Sequence, residues 1–127
     1  PRLLSSAASD VYKRQPSSSE IILSANTHPG DSTTETITGS NFRGDGYYGR
    51  ADGLHTVMYD YTGLTGTITI QGTLATTPTD SDWFDVDSIT ASTETAIKYA
   101  NFTGNFVYIR AKVVYTDGTI NSIRMNH

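Results

Sequence analysis

The stretch GTITIQGTLATTPTDSDWFDV, residues 66–86, decides the fold of this chain. Its first part alternates aliphatic residues with threonine, which is the two-residue period of a half-buried β-strand. A polar run containing Pro78 then predicts a loop, and a second apolar pattern begins at Trp83. Because an indole buries a large area and needs only one partner for its N–H, we expect it to pack between two sheets. The residues expected to face the core are Ile68, Ile70, Leu74 and Trp83.

Strands of the same kind flank this stretch on both sides. Residues 54–61 alternate before a predicted turn at residues 62–65, and residues 106–115 give the cleanest alternation in the chain. The inward positions are Val57, Tyr59, Tyr61, Val107, Ile109, Ala111, Val113 and Tyr115, and the outward positions are Met58, Tyr108, Arg110 and Lys112.

The pair Asp117 and Gly118 is typical of a type I′ turn, so residues 120–125 are expected to return antiparallel as the last strand. A strict two-residue register would place Arg124 beside Ala111 on the buried face. We therefore expect a bulge or an early end to the pairing there.

Shorter apolar segments complete the pattern. Residues 21–23 and 33–38 predict brief strands, and residues 95–102 predict another in which Ile97 and Tyr99 face inward. Threonine occurs 20 times and tyrosine 8 times, both residue types that suit pleated surfaces. No window has a convincing helical period. The sequence predicts an antiparallel β-sandwich of immunoglobulin-like or jelly-roll-like type, with eight or nine short strands and little or no helix, and a closed β-barrel is the alternative.

The 127 residues have the length of one domain, which we assign to residues 17–127. Residues 1–16 differ in composition, and their SDVYKRQ run resembles a translated sequencing-adapter remnant, so we expect a non-native or disordered N-terminal arm. The absence of cysteine excludes disulfides and thiolate chemistry. A net charge of −4 with scattered basic residues argues against a nucleic-acid partner, and no apolar run is long enough for membrane insertion.

Catalytic signals are weak, and we expect a protein that is not an enzyme and uses no cofactor. Asp80, Asp82, Asp85 and Asp87 cluster in sequence, but their spacing departs from a calcium loop, so a solvated turn is the default and no metal is predicted. The histidines are isolated, and His55 is expected to face solvent.

Residues 39–53, GSNFRGDGYYGRADG, predict a long irregular loop with a brief strand at Tyr47 and Tyr48. Arg43-Gly44-Asp45 matches an integrin-binding tripeptide, for which chance is the better explanation. Exposed tyrosines suit either sugar stacking or a protein interface, as well as ordinary sheet packing. The predicted contact surface consists of Phe42, Arg43, Tyr47, Tyr48 and Arg50.

The run YDYTGLTGTITIQGTLATTPTDSDWFDV, followed by FTGNFVYIRAKVVYTDGTI, resembles small β-sandwich modules of tailed-phage virion proteins, particularly structural and tail-associated proteins of marine myovirus-type phages. The resemblance covers residues 54–127. It implies a non-enzymatic virion module that acts in assembly or surface adhesion, with other virion proteins or copies of itself as partners. The alternative is a carbohydrate-binding module that presents Tyr47 and Tyr48 to a surface glycan.

Overall fold

The computed structural model describes residues 20–49 and 53–126, so the predictions for residues 1–16 and for Arg50 lie outside the described residues. This part of the chain is almost entirely antiparallel β-structure, and its one helical turn is a 3₁₀ turn at Asp80–Asp82. The strands are β1 Glu20–Leu23, β2 Asn26–Thr27, β3 Glu35–Thr38, β4 Phe42–Arg43, β5 Leu54–Thr73, β6 Phe84–Thr103 and β7 Tyr108–Asn126.

The sheet is built around β5, which pairs with β6 on one side and with β7 on the other. The four short strands β1 to β4 follow one another along the second edge of β7. Within residues 20–49 and 53–126 the strand order is open and ends at β6, so the sheet does not close into the barrel that was the alternative.

The three long strands fold over in the middle and give the sheet two layers. Asp87 on β6 pairs with Ile70, and Tyr59 lies eleven residues before Ile70 on β5. On a straight strand these positions would lie roughly 36 Å apart, at about 3.3 Å per residue. The Tyr59 hydroxyl nevertheless donates a hydrogen bond to the Asp87 carboxylate at 2.7 Å. The two halves of the sheet therefore lie face to face, as the predicted sandwich requires.

We call the two halves the first layer and the second layer. The first layer contains residues 54–61 of β5 with their partners on β6 and β7, together with β1 and β2. The second layer contains residues 66–73 of β5 with their partners, together with β3 and β4.

The core lies between the layers and follows the alternation of the sequence. Nearly all positions predicted to face inward on β5 and β7 are fully buried there, which confirms the period-two pattern. Val107, which directly precedes β7, is half-buried. The confirmed residues are Val57, Tyr59, Tyr61, Ile68, Ile70, Ile109, Ala111, Val113 and Tyr115.

Two predicted turns are wrong, because the chain bends at them without reversing. Residues 62–65 lie inside β5 and residues 117–118 inside β7, where bulges interrupt the register. Gly63 and Gly118 take positive φ values of 59° and 104°, a conformation that serves a bulge as well as a turn. The described residues form seven strands, and three of them are 19 or 20 residues long, so the expectation that all strands are short is wrong.

The same correction removes the predicted conflict at Arg124. Because β7 runs on and pairs with β5, Arg124 lies opposite Met58 and is exposed. It does not pair with Ala111, which pairs with Ile70 on the buried face.

Several residues predicted to face inward are exposed. On β6 the inward positions are Ala96, Ala100 and Phe102, so Ile97 and Tyr99 point outward with 67% and 74% of their surface exposed. Leu74 lies beyond the last residue of β5 and is also exposed. The predicted alternation on residues 95–102 of β6 is therefore wrong by one residue: the even-numbered positions of this segment face the core and the odd-numbered ones face outward.

Candidate functional site

The loop after β4 is tied to the segment that leads into β7. The Gly44 amide donates to the Val107 carbonyl at 3.0 Å, and the Gly46 amide donates to the Phe106 carbonyl at 2.9 Å. A Cβ at Gly44 would lie 2.4 Å from the Phe106 carbonyl oxygen, so this close approach requires glycine. Tyr47 and Tyr48 follow in a turn, and the brief strand predicted for them is wrong.

Asp45 and His55 lie inside the protein at the base of this loop. The Asp45 carboxylate is buried and accepts a hydrogen bond from the Gly53 amide at 2.9 Å. The integrin-like tripeptide is therefore not presented to a partner, in agreement with a chance match. His55 is fully buried, lies 2.8 Å from the Gly53 carbonyl through Nδ1, and stacks on Phe102 at 5.2 Å. Its predicted exposure to solvent is wrong, because it falls on the inward side of β5.

Arg43, Tyr47, Tyr48 and Tyr108 form an aromatic cluster on the surface. The Tyr47 ring lies 5.2 Å from Tyr48 and 5.6 Å from Tyr108, and the Arg43 guanidinium lies over it at 4.8 Å. Tyr47 and Tyr48 expose 43% and 47% of their surface. The structure thus brings together three of the five predicted contact residues.

Phe42 belongs to the core instead. Only 2% of its surface is exposed, so it cannot contact a partner. Its position on β4 opposite Ile109 turns the ring inward, while the next residue, Arg43, faces out.

Beside the aromatic cluster, Arg110 is held in a fixed position that the sequence did not reveal. Its Nε donates to the Gln71 side-chain oxygen at 2.9 Å, and its guanidinium stacks over the Trp83 ring at 4.3 Å. Gln71 is in turn held by Asp85, which accepts a hydrogen bond at 3.1 Å. Trp83 is half-buried and lies outside the core cluster, so its predicted place between the sheets is wrong.

The acidic residues near this arginine have separate partners. Within the described ranges, no group of three histidine, aspartate or glutamate side chains is placed to hold a metal ion. Asp82 accepts from the Thr79 amide at 2.7 Å, and Asp87 accepts from Tyr59. These acids cap a turn, support a glutamine and join the two layers.

Two buried tyrosines hydrogen-bond to carboxylates, and the bond from Tyr59 to Asp87 connects the layers. Burial, followed by the hydrogen bond to Asp87, raises the pKa of Tyr59 well above its usual range. Burial also raises the pKa of Tyr61, whose hydroxyl donates to Glu94 at 2.8 Å. The hydrogen bond from Tyr61, followed by the neighbouring Lys98, lowers the pKa of the Glu94 carboxyl. At neutral pH the two tyrosine hydroxyls therefore stay protonated and Glu94 stays ionised, so these hydrogen bonds stabilise the fold.

A second exposed feature is the free edge of β6. Among the described residues β6 pairs only with β5, over nearly all of its 20 residues. Ile97 and Tyr99 project from the same outward face near its end. Lys98 is paired with Glu94 at 3.1 Å. A lysine on an edge strand normally discourages strand pairing, and here its charge is balanced.

No protein-family model matches the sequence, and a comparison with curated proteins finds no relative. Among solved structures, the chain is similar to PirA, at 12% identity and a TM-score of 0.51, over 89% of this chain and 94% of that one. It is also similar to an empty virus-like particle of Cowpea Mosaic Virus, at 12% identity and a TM-score of 0.48, over 85% and 79% of the two chains. A family 29 carbohydrate-binding module from Piromyces equi follows, at 9% identity and a TM-score of 0.40, over 86% and 90%.

The likeness to PirA shows the β-sandwich fold and no function, because the identity is so low. No helix in the described part of the chain is long and apolar enough to cross a membrane.

Proposed function

We propose that this protein is a non-enzymatic structural or tail-associated module of a phage virion, which acts in assembly or adhesion and associates with copies of itself through β6. The observation that carries the proposal is the free edge of β6, where Ile97 and Tyr99 are the two most exposed large apolar side chains of the described residues. The resemblance of residues 54–127 to phage virion modules supplies the biological setting.

A long edge strand offers unpaired backbone N–H and C=O groups to a second chain. On β6, residues 94–103 combine this edge with two apolar side chains and a balanced lysine. A second copy that pairs antiparallel with the same edge would cover both the unpaired backbone groups and the two apolar side chains. The two copies would then form a twofold-symmetric dimer. The resulting dimer would be the unit from which further contacts build a larger particle.

Sedimentation velocity over a range of concentrations tests the proposal. The wild-type chain is expected to form larger species as its concentration rises, and the double variant Ile97→Lys with Tyr99→Lys is expected to stay monomeric. The double variant Thr76→Lys with Thr77→Lys is the matched control, because it adds the same charge to the exposed loop before β6. A wild-type protein that is monomeric at every concentration, or a control that dissociates equally, would contradict the proposal.

The second candidate function is carbohydrate binding, which the aromatic cluster supports. Tyr47 and Tyr48 are adjacent, half-exposed and fixed by a loop with internal hydrogen bonds, as a platform for a sugar ring requires. Tyr47→Ala and Tyr48→Ala are expected to abolish binding on a glycan array. Tyr99→Ala removes a more exposed tyrosine from β6 and is expected to leave glycan binding unchanged. Loss of binding in all three variants would count against this function.

A further inference from the structure

We infer that a polar cleft on the outer face of the second layer binds an acidic polysaccharide, whose carboxylate or sulfate groups pair with Arg110 and Lys112. The cleft has a volume of about 510 Å³, within the range of about 300–1,000 Å³ that is usual for small-ligand sites. Its lining residues are Thr36, Thr38, Gln71, Asp80, Arg110 and Lys112. The inference is separate from self-association through β6, and it gives the carbohydrate-binding alternative a ligand class.

Arg110 is the anchor of this cleft because its side chain is already ordered. Only 14% of the side chain is exposed, its Nε is engaged by Gln71, and one face of the guanidinium lies on Trp83. A guanidinium that is held in this way loses little entropy when its terminal nitrogens bind a planar or tetrahedral anion. The hydrogen bond from Gln71 to Asp85 orients the Gln71 amide, so its oxygen stays directed at Arg110.

The positive charge of Arg110 is only weakly balanced within the protein. Its one ion-pair partner among the described residues is Asp80, whose carboxylate lies 3.7 Å from Nη1, beyond hydrogen-bond range, and Asp80 is fully exposed. Exposed pairs of this kind contribute little, so a ligand anion can displace Asp80 at small cost. Lys112, two residues further along the same face of β7, makes no ion pair with any residue in the described ranges and adds a second positive charge.

The rest of the lining suits a ligand rich in hydroxyl groups. Thr36 and Thr38 are exposed on β3, and Thr38 lies directly opposite Lys112. Their hydroxyls can both donate and accept hydrogen bonds, which matches the ring hydroxyls of a sugar. Tyr108 precedes Arg110 on the same face and connects the cleft to the aromatic cluster, where a neighbouring sugar ring could stack.

The small number of cations in the cleft separates this ligand from a nucleic acid. Arg110 and Lys112 are the two cations of its described lining, whereas binding to a polyphosphate backbone requires a larger cluster of Lys and Arg. One fixed arginine and one lysine among threonines instead match the spaced anionic groups of an acidic polysaccharide.

Isothermal titration of the full chain with defined polysaccharides tests the inference. Polygalacturonate supplies carboxylates, and its methyl ester is the neutral counterpart. Dextran sulfate with a low degree of sulfation supplies sulfates, with dextran as its neutral counterpart. Arg110→Gln and Lys112→Gln are each expected to weaken binding of the acidic polymer about tenfold, the usual loss for one charged hydrogen bond. Arg124→Gln removes the same charge from the outer face of the first layer and is expected to leave binding unchanged.

The outcomes separate the alternatives. Binding of polygalacturonate or dextran sulfate, together with weak or absent binding of the neutral counterpart, supports the inference and identifies the anion. Absence of binding to both acidic polymers overturns it, as does equal weakening by Arg124→Gln, which would indicate diffuse electrostatic attraction. If Arg110→Gln unfolds the chain, Lys112→Gln decides the result. The β6 variant Ile97→Lys with Tyr99→Lys should keep its polysaccharide affinity, so that failure of self-association and failure of the cleft are distinguishable.

Discussion

The outer faces of the two layers differ in chemistry although the same three long strands supply both. Across the first layer, one row of paired residues runs from Tyr99 through Met58 and Arg124 to Ile21, and Tyr99 and Ile21 are exposed. Across the second layer, the corresponding rows carry mainly polar residues (threonine, serine, glutamine, aspartate, lysine and arginine), together with Val114 and Tyr108. The inward positions of both layers are mainly apolar, with His55 and Asp87 as polar exceptions.

The comparison shows how one bent strand can serve two surfaces. Alternation fixes only which side chains enter the core, so the outward positions before and after each bend are free to differ. In the functions proposed above, the first layer offers an apolar edge for protein contact, and the second offers a polar cleft for a hydrophilic ligand.

The largest expected effect comes from Tyr59, because both faces depend on the same core. Tyr59→Ala removes a fully buried ring and its hydrogen bond to Asp87, and it should lower the free energy of unfolding by about 3–5 kcal/mol. Urea denaturation measures this loss, with the exposed Thr62→Ala as control. A change below about 1 kcal/mol would mean that the layers are not packed as described.

Gly118 tests the bend itself and should give the next largest effect. Its φ is 104°, and a Cβ there would lie 2.5 Å from the Gly63 carbonyl oxygen. Gly118→Val is expected to cost about 2–3 kcal/mol from backbone strain and this clash. Gly30→Val is the matched control, since its φ of 77° gives similar strain but its Cβ would meet nothing within 4 Å. Equal losses of unfolding free energy in both variants would mean that the clash with Gly63 does not contribute.

The sequence could predict the core but not these bends. Period-two alternation on β5 and β7 identified the buried residues, since that signal is local. Asp117-Gly118 looks the same in a hairpin turn and in a bulge, and the long-range pairing of β7 with β5 decides between them. The outward position of Arg110 was predicted as part of β7, but its stack on Trp83 joins residues 27 positions apart and has no local signal.

The predicted contact surface shows the same limit. Tyr47 and Tyr48 are exposed, as tyrosines in a glycine-rich loop were expected to be. Phe42 and His55 are buried, because the pairing of β4 and β5 sets which side of each strand faces the core.

The link between the layers also predicts a dependence on pH. The folded state raises the pKa of Tyr59 above its ordinary value of 10.0, so the folded state holds the proton more tightly than the unfolded state. Stability from this group is complete below pH 10.0 and is lost as the pH rises above it. Tyr59→Phe should cost about 1–1.5 kcal/mol at pH 7, the usual value of one hydrogen bond, and should flatten the alkaline decline. Urea denaturation from pH 8 to 11 measures both, and the exposed Tyr99→Phe should change neither.

Replacement of Trp83 should cause the smallest loss of stability of these variants, because Trp83 lies at the surface and not in the core. Because the indole stacks on Arg110 and lies outside the core, Trp83→Ala is expected to cost about 0.5–1 kcal/mol. The same variant should weaken binding of an acidic polysaccharide, since Arg110 loses one of its supports. A loss of about 3–5 kcal/mol, typical of a core tryptophan, would instead indicate that Trp83 packs between the sheets, as the sequence predicted.

Hydrogen–deuterium exchange at low and high protein concentration tests the division between the two faces most directly. Self-association through the free edge should slow exchange in peptides covering residues 94–103 as the concentration rises, and peptides covering residues 33–38 beside the polar cleft should exchange alike at both concentrations. Unchanged exchange in residues 94–103 while the protein forms larger species, or slowing confined to residues 33–38, would contradict the assignment of protein contact to the first layer.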